Sequence, residues 1–288
     1  SMRLRRRIER EKLRNSTYRV IDLLKLGKKI LSEKRNPYFE SEIIISSHLG
    51  LSKEEFILKM NEEISPKDTN EIILKLEERR KGKPLSYVTG ERIFLLRKFM
   101  VFEGVFIPRF ETEEIVYHLV KREEKFENCL DICAGTGVMG ISLMLEGKVK
   151  NCTFVDINPI AIENIKANLY RFGVSGKVIR SNMFEKVRGK FDLIISNPPY
   201  IPEGMLYELD EDVKKEPYEA LNGGKDGFKF IRILLSESEK YLKKGGKLVF
   251  EYPEFGLEKI ENIKTKLKFK EKIPTLSVDI KGAVFIKL

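Results

Sequence analysis

The spacing of hydrophobic and polar positions changes rhythm twice along this chain. From Thr17 to Leu31 apolar residues fall at Val20, Ile21, Leu23, Leu24, Leu26 and Ile30, a spacing that predicts an amphipathic helix. Ser52-Lys-Glu-Glu55, with Leu51 before it, is a capping box. Ser65-Pro66 supplies an N-cap and a first helical position for a helix carrying Ile72, Ile73 and Leu76 and closing at Gly82. A small helical bundle is therefore expected over residues 1–82. Between Tyr87 and Ile107 the pattern turns β-like, in Ile93–Leu96, Phe99–Phe102 and Val105–Ile107, which predicts a β-hairpin linker over residues 83–110.

Across residues 111–288 short apolar runs alternate with helical stretches. The runs are Cys129–Ile132, Thr153–Val155, Lys177–Arg180, Leu193–Ser196, Lys247–Tyr252, Lys268–Ile273 and Gly282–Leu288. Alternation of this kind predicts an α/β fold with a doubly wound sheet, in which ligands bind beyond the carboxyl ends of the strands. Asp131, Asp156, Asn182 and Asn197 all fall at or beside predicted strand ends, so one cleft is expected to gather them.

The first chemical signal is Cys129-Leu-Asp131-Ile-Cys133-Ala134-Gly135-Thr136-Gly137-Val138-Met139-Gly140, a strand, a glycine-rich turn and a helix start. Gly135 and Gly137 permit positive φ and a close approach of backbone to ligand, and the helix start offers unpaired N–H groups. The next strand ends at Asp156, 19 residues after Gly137, where a carboxylate accepts both hydroxyls of a ribose. An adenosine-bearing cofactor follows. The plainer reading of Asp156 is a cap for the helix begun at Pro159.

The second signal is Asn197-Pro198-Pro199-Tyr200, at the end of the run Phe191–Ser196. Asn197 offers a side-chain carbonyl, the prolines lack N–H groups and leave their carbonyls free, and Tyr200 adds an aromatic wall. Such a site suits a planar NH2 group: two acceptors take its hydrogens and the ring covers one face. A strand followed by a proline-rich turn is the plainer alternative. NAD and S-adenosylmethionine compete as cofactors. A dehydrogenase needs a proton-transfer group near the nicotinamide, and the two histidines, His48 and His118, stand outside the α/β motifs. Methyl transfer needs mainly position and alignment.

With these residues the chain resembles class I S-adenosylmethionine-dependent methyltransferases acting on planar nitrogens. The resemblance narrows over four segments: Gly82–Glu91, Gly104–Glu113 with Pro108-Arg109-Phe110-Glu111-Thr112-Glu113, Asn197–Pro202, and Glu216–Gly227. Their order is that of the protein N5-glutamine methyltransferase family, which modifies the Gly-Gly-Gln motif of peptide-chain release factors. The resemblance implies a substrate-recognition role for the helical front, a C-terminal antiparallel hairpin, and S-adenosylhomocysteine as product with no metal. Catalytic roles fall on Asn197, Pro198 and Tyr200, with Pro199 joining them in substrate binding. Asp131, Cys133, Ala134, Gly135, Thr136, Gly137, Asp156, Ile157, Asn182, Met183 and Asn197 are expected to hold the cofactor. The expected reaction is in-line attack of the amide nitrogen on the sulfonium methyl. Adenine N6 or guanine N2 methylation of a nucleic acid is the alternative, since those enzymes share the Asn-Pro-Pro-Tyr run.

The chain departs from the family pattern at several places. Cys133 and Ala134 stand for the usual Gly and Thr, Phe110 for the second Pro of its segment, and Asn182 where Asp is frequent. The Arg often found after the glycine at Gly282 is missing. Cys133 and Ala134 are small enough for binding to persist.

Composition adds limits. With 288 residues, 42% hydrophobic and 34% charged, a folded two-domain chain is expected. No apolar run reaches membrane-spanning length and no signal segment is read, so a cytoplasmic location, a monomer and no membrane partner are expected. Cys129, Cys133 and Cys152 show no metal spacing and read as reduced thiols. Ser1 before Met2 reads as a scar of expression. Residues 1–35 carry 13 Lys/Arg against 4 acids, much of the formal +10. That segment suits RNA phosphates or an acidic protein face, and equally a solvated helix.

Overall fold

The structure, a computed structural model, describes residues 17–288 and separates into two compact units that meet at Gly90/Glu91. The basic start before residue 17 lies outside the described residues.

The first unit is helical. A two-stranded ladder of β1 (Tyr18–Arg19) and β2 (Glu63–Ile64) accompanies α1 (Val20–Ile30), α2 (Pro37–Leu49), α3 (Lys53–Leu58), α4 (Pro66–Arg80) and α5 (Leu85–Thr89). The expected start signals act as caps. Ser52 and Glu55 form the reciprocal box at α3, and Ser65 Oγ accepts the Asp68 N–H with Pro66 at the first position of α4. Leu23, Leu24, Ile44, Ile45, Phe56, Ile72 and Leu76 form its core. At Gly27 a Cβ would lie 2.5 Å from Ser41 Oγ, so only glycine lets α1 cross α2 so closely.

The second unit opens with the hairpin β3 (Glu91–Phe94) and β4 (Arg97–Met100) and continues through α6 (Phe110–Val120), β5 (Phe126–Ile132), α7 (Val138–Leu145), β6 (Val149–Asp156), α8 (Pro159–Phe172), β7 (Lys177–Arg180) and β8 (Phe191–Ser196). Then come α9 (Tyr218–Leu221), α10 (Lys229–Tyr241), β9 (Leu242–Pro253), α11 (Leu257–Glu261), β10 (Lys268–Ile273) and β11 (Ile280–Ile286). The seven-stranded sheet has the order β10-β11-β9-β8-β5-β6-β7. Strands β9, β8, β5, β6 and β7 pair in parallel, and β11 pairs antiparallel with both β9 and β10. The class I methyltransferase fold and its terminal hairpin are thus present.

Alternation along β5 sends Cys129 and Asp131 to the face covered by α6, α7 and α8, and Leu130 and Ile132 to the face covered by α10. Val105–Ile107, expected as β, is irregular chain, and α5 occupies part of the expected linker. Side chains fix the backbone from the end of β4 through this stretch. Ile107 N–H donates to Glu216 (2.7 Å), Met100 N–H to Asn168 (2.7 Å) and Phe102 N–H to Asn164 (2.8 Å). None of the described helices is long and apolar enough to cross a membrane.

Candidate active site

Strand order reverses between β5 and β8, and beyond their carboxyl ends lies a cavity of about 640 Å³. That is where a doubly wound sheet places its ligand, and the volume suits a nucleoside-sized molecule.

The glycine-rich turn forms one wall. Ala134 N–H donates to the Val155 carbonyl (3.0 Å), which staples the turn to β6. Gly137, at φ 84°, is the N-cap of α7, and Gly135 has φ 56° with no atom within 4 Å of where a Cβ would sit. Gly140 serves packing instead: a Cβ there would meet the Phe154 ring at 2.6 Å. Asn168, buried on α8, donates to the Thr136 carbonyl (2.8 Å) and so also fixes the turn.

Two acidic groups flank the turn. Asp156 accepts the Gly135 N–H (2.8 Å) on one oxygen and the Asn158 N–H (2.9 Å) on the other. It therefore supports the turn and lines the cavity, while the cap of α8 is Asn158, which corrects the capping alternative for Asp156. Asp131 is fully buried; one oxygen accepts the Gly140 N–H (3.0 Å) and the other finds no partner among the described residues. Burial pushes its carboxyl up to about 7, opposed by the Gly140 hydrogen bond and reinforced by Asp156.

Cys133 and Met183 line the cavity together, their sulfurs 3.6 Å apart, and both lie in the left-handed region at φ 59° and 51°. Strained residues of this kind collect where a wall must be shaped for a ligand. Burial raises the Cys133 thiol, with Asp156 and Asp131 adding to the shift, so it stays protonated.

The opposite wall carries Asn197 and Pro199. Asn197 Nδ2 donates to Thr112 Oγ1 (3.4 Å), Thr112 donates to Glu251 Oε1 (2.6 Å), and the Tyr200 hydroxyl donates to Glu251 Oε2 (2.6 Å). With Glu251 ionised, the Thr112 proton goes to a carboxylate that only accepts, and the Thr112 oxygen facing Asn197 itself accepts. The Asn197 amide therefore turns its NH2 inward and leaves its carbonyl oxygen without a donor among the described residues. That orientation follows from the network and is independent of how an amide is drawn.

Of the residues predicted from sequence, Cys133, Ala134, Gly135, Thr136, Asp156, Ile157, Asn182, Met183, Asn197 and Pro199 all line the cavity. Asp131 and Gly137 lie behind the turn, while Pro198 and Tyr200 stand beside Asn197 and Pro199 without lining this cavity, Tyr200 being held against Glu251. Sequence reasoning missed Glu251, Asn164, Asn168, Glu216 as an anchor, and the wall residues Phe106, Tyr218 and Phe230. Thr112 stood inside a quoted segment without a role. Glu251 gave a faint signal: a lone acid in the apolar run Leu248–Tyr252 is seldom buried without partners.

The site fits S-adenosylmethionine on several observations. The backbone is open at Gly135, Asp156 keeps lone pairs toward the cavity, and the cavity lies at the carboxyl ends of the parallel strands.

Comparison with known proteins agrees with this geometry. Residues 110–216 match the Methyltransferase small domain and residues 22–90 the PrmC N-terminal domain. A "Release factor glutamine methyltransferase" of Aquifex aeolicus is 36% identical over 80% of this chain and 83% of its own. The protein of that name from Bacillus cereus is 32% identical over 87% and 90%. Among solved structures, a T. thermophilus 16S rRNA N2 methyltransferase in complex with AdoMet and guanosine superposes with TM-score 0.50 at 16% identity, over 69% of this chain and 50% of that one, a likeness of fold. Its two matched domains, its ordered site and its relatives agree: the chain belongs to the release factor glutamine methyltransferase family.

Proposed function

We propose that this enzyme transfers a methyl group from S-adenosylmethionine to the side-chain nitrogen (N5) of the glutamine in the Gly-Gly-Gln motif of a peptide-chain release factor. The observation that carries the reading is the Asn197 amide, locked by Thr112 so that its carbonyl stays available to a donor. S-adenosylmethionine supplies an electrophilic methyl on a sulfonium sulfur.

The chain's own residues prepare the nucleophile. An amide nitrogen is weak because its lone pair is delocalised. Acceptance of its two hydrogens by Asn197 Oδ1 and the Pro198 carbonyl favours the rehybridised nitrogen that forms during transfer, and preorganised acceptors need no reorientation as charge develops. Tyr200, pinned by its hydroxyl, offers its ring beside them. Asp156, Asn182 and the turn Cys133–Gly137 bind the donor, with Asp131 supporting the turn from behind through the Gly140 N–H. The helical unit serves in recognising the protein substrate, and the basic start touches RNA incidentally when the factor is met near the ribosome. Acting on a translation factor, the enzyme works in the cytoplasm, as a monomer.

The test is methyl transfer from labelled S-adenosylmethionine to a cognate release factor, beside a Gly-Gly-Gln→Gly-Gly-Ala version and beside tRNA, rRNA and DNA. Label on the intact factor alone supports the reading. Label on a nucleic acid with none on the factor moves the assignment to base methylation.

A further inference from the structure

The buried residue that the proposed reaction leaves unexplained is Glu251. It sits on β9 at 1% exposure, and the ion pairs found among the described residues do not include it. Both of its oxygens receive hydroxyl protons at 2.6 Å, from Thr112 on α6 and from Tyr200 after β8. A carboxylate is costly to bury, and one placed between two hydroxyls sets the direction of every hydrogen bond that radiates from it.

We propose that Glu251 is a positioning residue for methyl transfer: as a pure acceptor it fixes the polarity of the chain Glu251–Thr112–Asn197, and thereby holds the Asn197 carbonyl toward the substrate amide. The inference rests on the glutamine reading above. Its other oxygen sets the Tyr200 ring, so the two side chains of the Asn-Pro-Pro-Tyr run that bear polar atoms answer to a single carboxylate 51 residues downstream of Tyr200.

The consequence of losing the acceptor is specific. A protonated Glu251 donates to one hydroxyl; when that hydroxyl is Thr112, its own proton turns toward Asn197, and the Asn197 amide flips its carbonyl inward, away from the cavity. The ionisable groups facing Glu251 are Arg109 and Glu111 at the start of α6 and Tyr200; Gly282, opposite it on β11, brings none. Burial raises the Glu251 carboxyl, the hydroxyls and Arg109 oppose that shift, and Glu111 adds to it. Turnover should therefore fall on the acid side through loss of kcat.

The experiment compares Glu251→Gln, Thr112→Val and Thr112→Ser. Glutamine keeps the shape and brings an NH2 that must face one of the two hydroxyls. Expected is a kcat lowered about a hundredfold in Glu251→Gln and Thr112→Val, the scale of a misplaced reacting group. Thr112→Ser should restore most of it. The KM for release factor, the cofactor Kd by calorimetry and the melting temperature should stay near wild type. The acid limb of the kcat profile should be lost in Glu251→Gln. A wild-type kcat in Glu251→Gln overturns the proposal, and so does a loss confined to cofactor Kd or melting temperature, which assigns Glu251 to structure.

The side-chain NH2 resonances of Asn197 provide a reading without turnover. A protected pair in wild type that is lost in Glu251→Gln supports the network, and an unchanged pair overturns it. If the wild type labels no release factor, the substrate reading fails by itself and these resonances still decide the role of Glu251.

Discussion

Arg109 and Glu216, 107 positions apart, form a two-pronged ion pair in which Arg109 Nη1 lies 2.9 Å from Glu216 Oε1 and Nη2 meets Oε2. Glu216 is buried while Arg109 is partly exposed and lies over the Phe106 ring, 4.6 Å from its centroid. The pair joins two stretches of cavity wall, Val105–Pro108 and Pro217–Ala220.

Removing the cation strands that carboxylate. Arg109→Ala should destabilise the second unit by about 3 kcal/mol, the low end for a broken buried pair because Arg109 keeps some solvent. Arg109→Lys should recover only part, since an ammonium cannot reproduce the fork. Urea unfolding of the variants provides the check, and a loss under about 0.5 kcal/mol would be that of a surface pair.

Cys133 occupies a left-handed backbone position where glycine carries no steric cost. Cys133→Gly should leave stability nearly unchanged, relief of strain being offset by greater freedom of the unfolded chain. Cys133→Val should cost about 1–3 kcal/mol, because a β-branched side chain tolerates this region worst. Thermal melts of both variants test the contrast, and equal effects would place the constraint in side-chain packing instead.

The fold was legible because its signals are local. Ser52, Ser65 and the strand runs act through neighbours three or four positions away, and β7 and β10 fall on the expected residues. The cavity wall was legible where one motif supplies it, as at Cys133–Thr136 and Asn197. What escaped depends on pairs with no shared motif. Glu251 meets Thr112 across 139 positions, and Asn168 reaches Thr136 across 32, by side-chain contacts that no periodicity encodes. The partner of the Tyr200 hydroxyl escaped for the same reason, since it is a buried carboxylate that no motif announces.

Phe110 stands at the first position of α6, half exposed, with Arg109 as N-cap at φ −106° and ψ 157°. That extended conformation is the one a following proline demands, and the first helical position tolerates a missing N–H. Phe110→Pro should stabilise the protein by about 0.4–1 kcal/mol by restricting the unfolded chain. A lowered melting temperature would show that the Phe110 ring or N–H has a partner of its own.

Asp131 gives stability a pH dependence of predictable sign. Its folded carboxyl, at about 7, holds a proton that the unfolded chain releases near 3.8. Folding therefore takes up a proton between these values; the stabilisation is present below the unfolded pKa and is lost as pH rises to about 7. Asp156 and Glu251, also raised by burial, act in the same direction. Asp131→Asn, which cannot ionise, should flatten the profile of melting temperature between pH 5 and 8, with its gain over wild type growing toward the alkaline end. Parallel profiles would mean that Asp131 is ionised in the folded protein throughout.

Asn197 carries the sharpest functional prediction, because binding and chemistry separate there. Its NH2 is committed to Thr112 and its carbonyl is the group we propose meets substrate, so alanine removes one acceptor while leaving the turn at Cys133–Gly137 and Asp156 untouched. By analogy with a single lost oxyanion-hole donor, worth about 2.7–4 kcal/mol, Asn197→Ala should lower turnover about a hundredfold or more. Asn197→Asp keeps an acceptor, but its carboxylate faces the Thr112 lone pairs and would have to reverse the network to bind there. It should therefore remain well below wild type despite its close shape. Cofactor binding should weaken yet stay measurable in both. Full activity in Asn197→Ala would refute the acceptor mechanism, and activity of Asn197→Asp equal to wild type would show that orientation through Thr112 is not required.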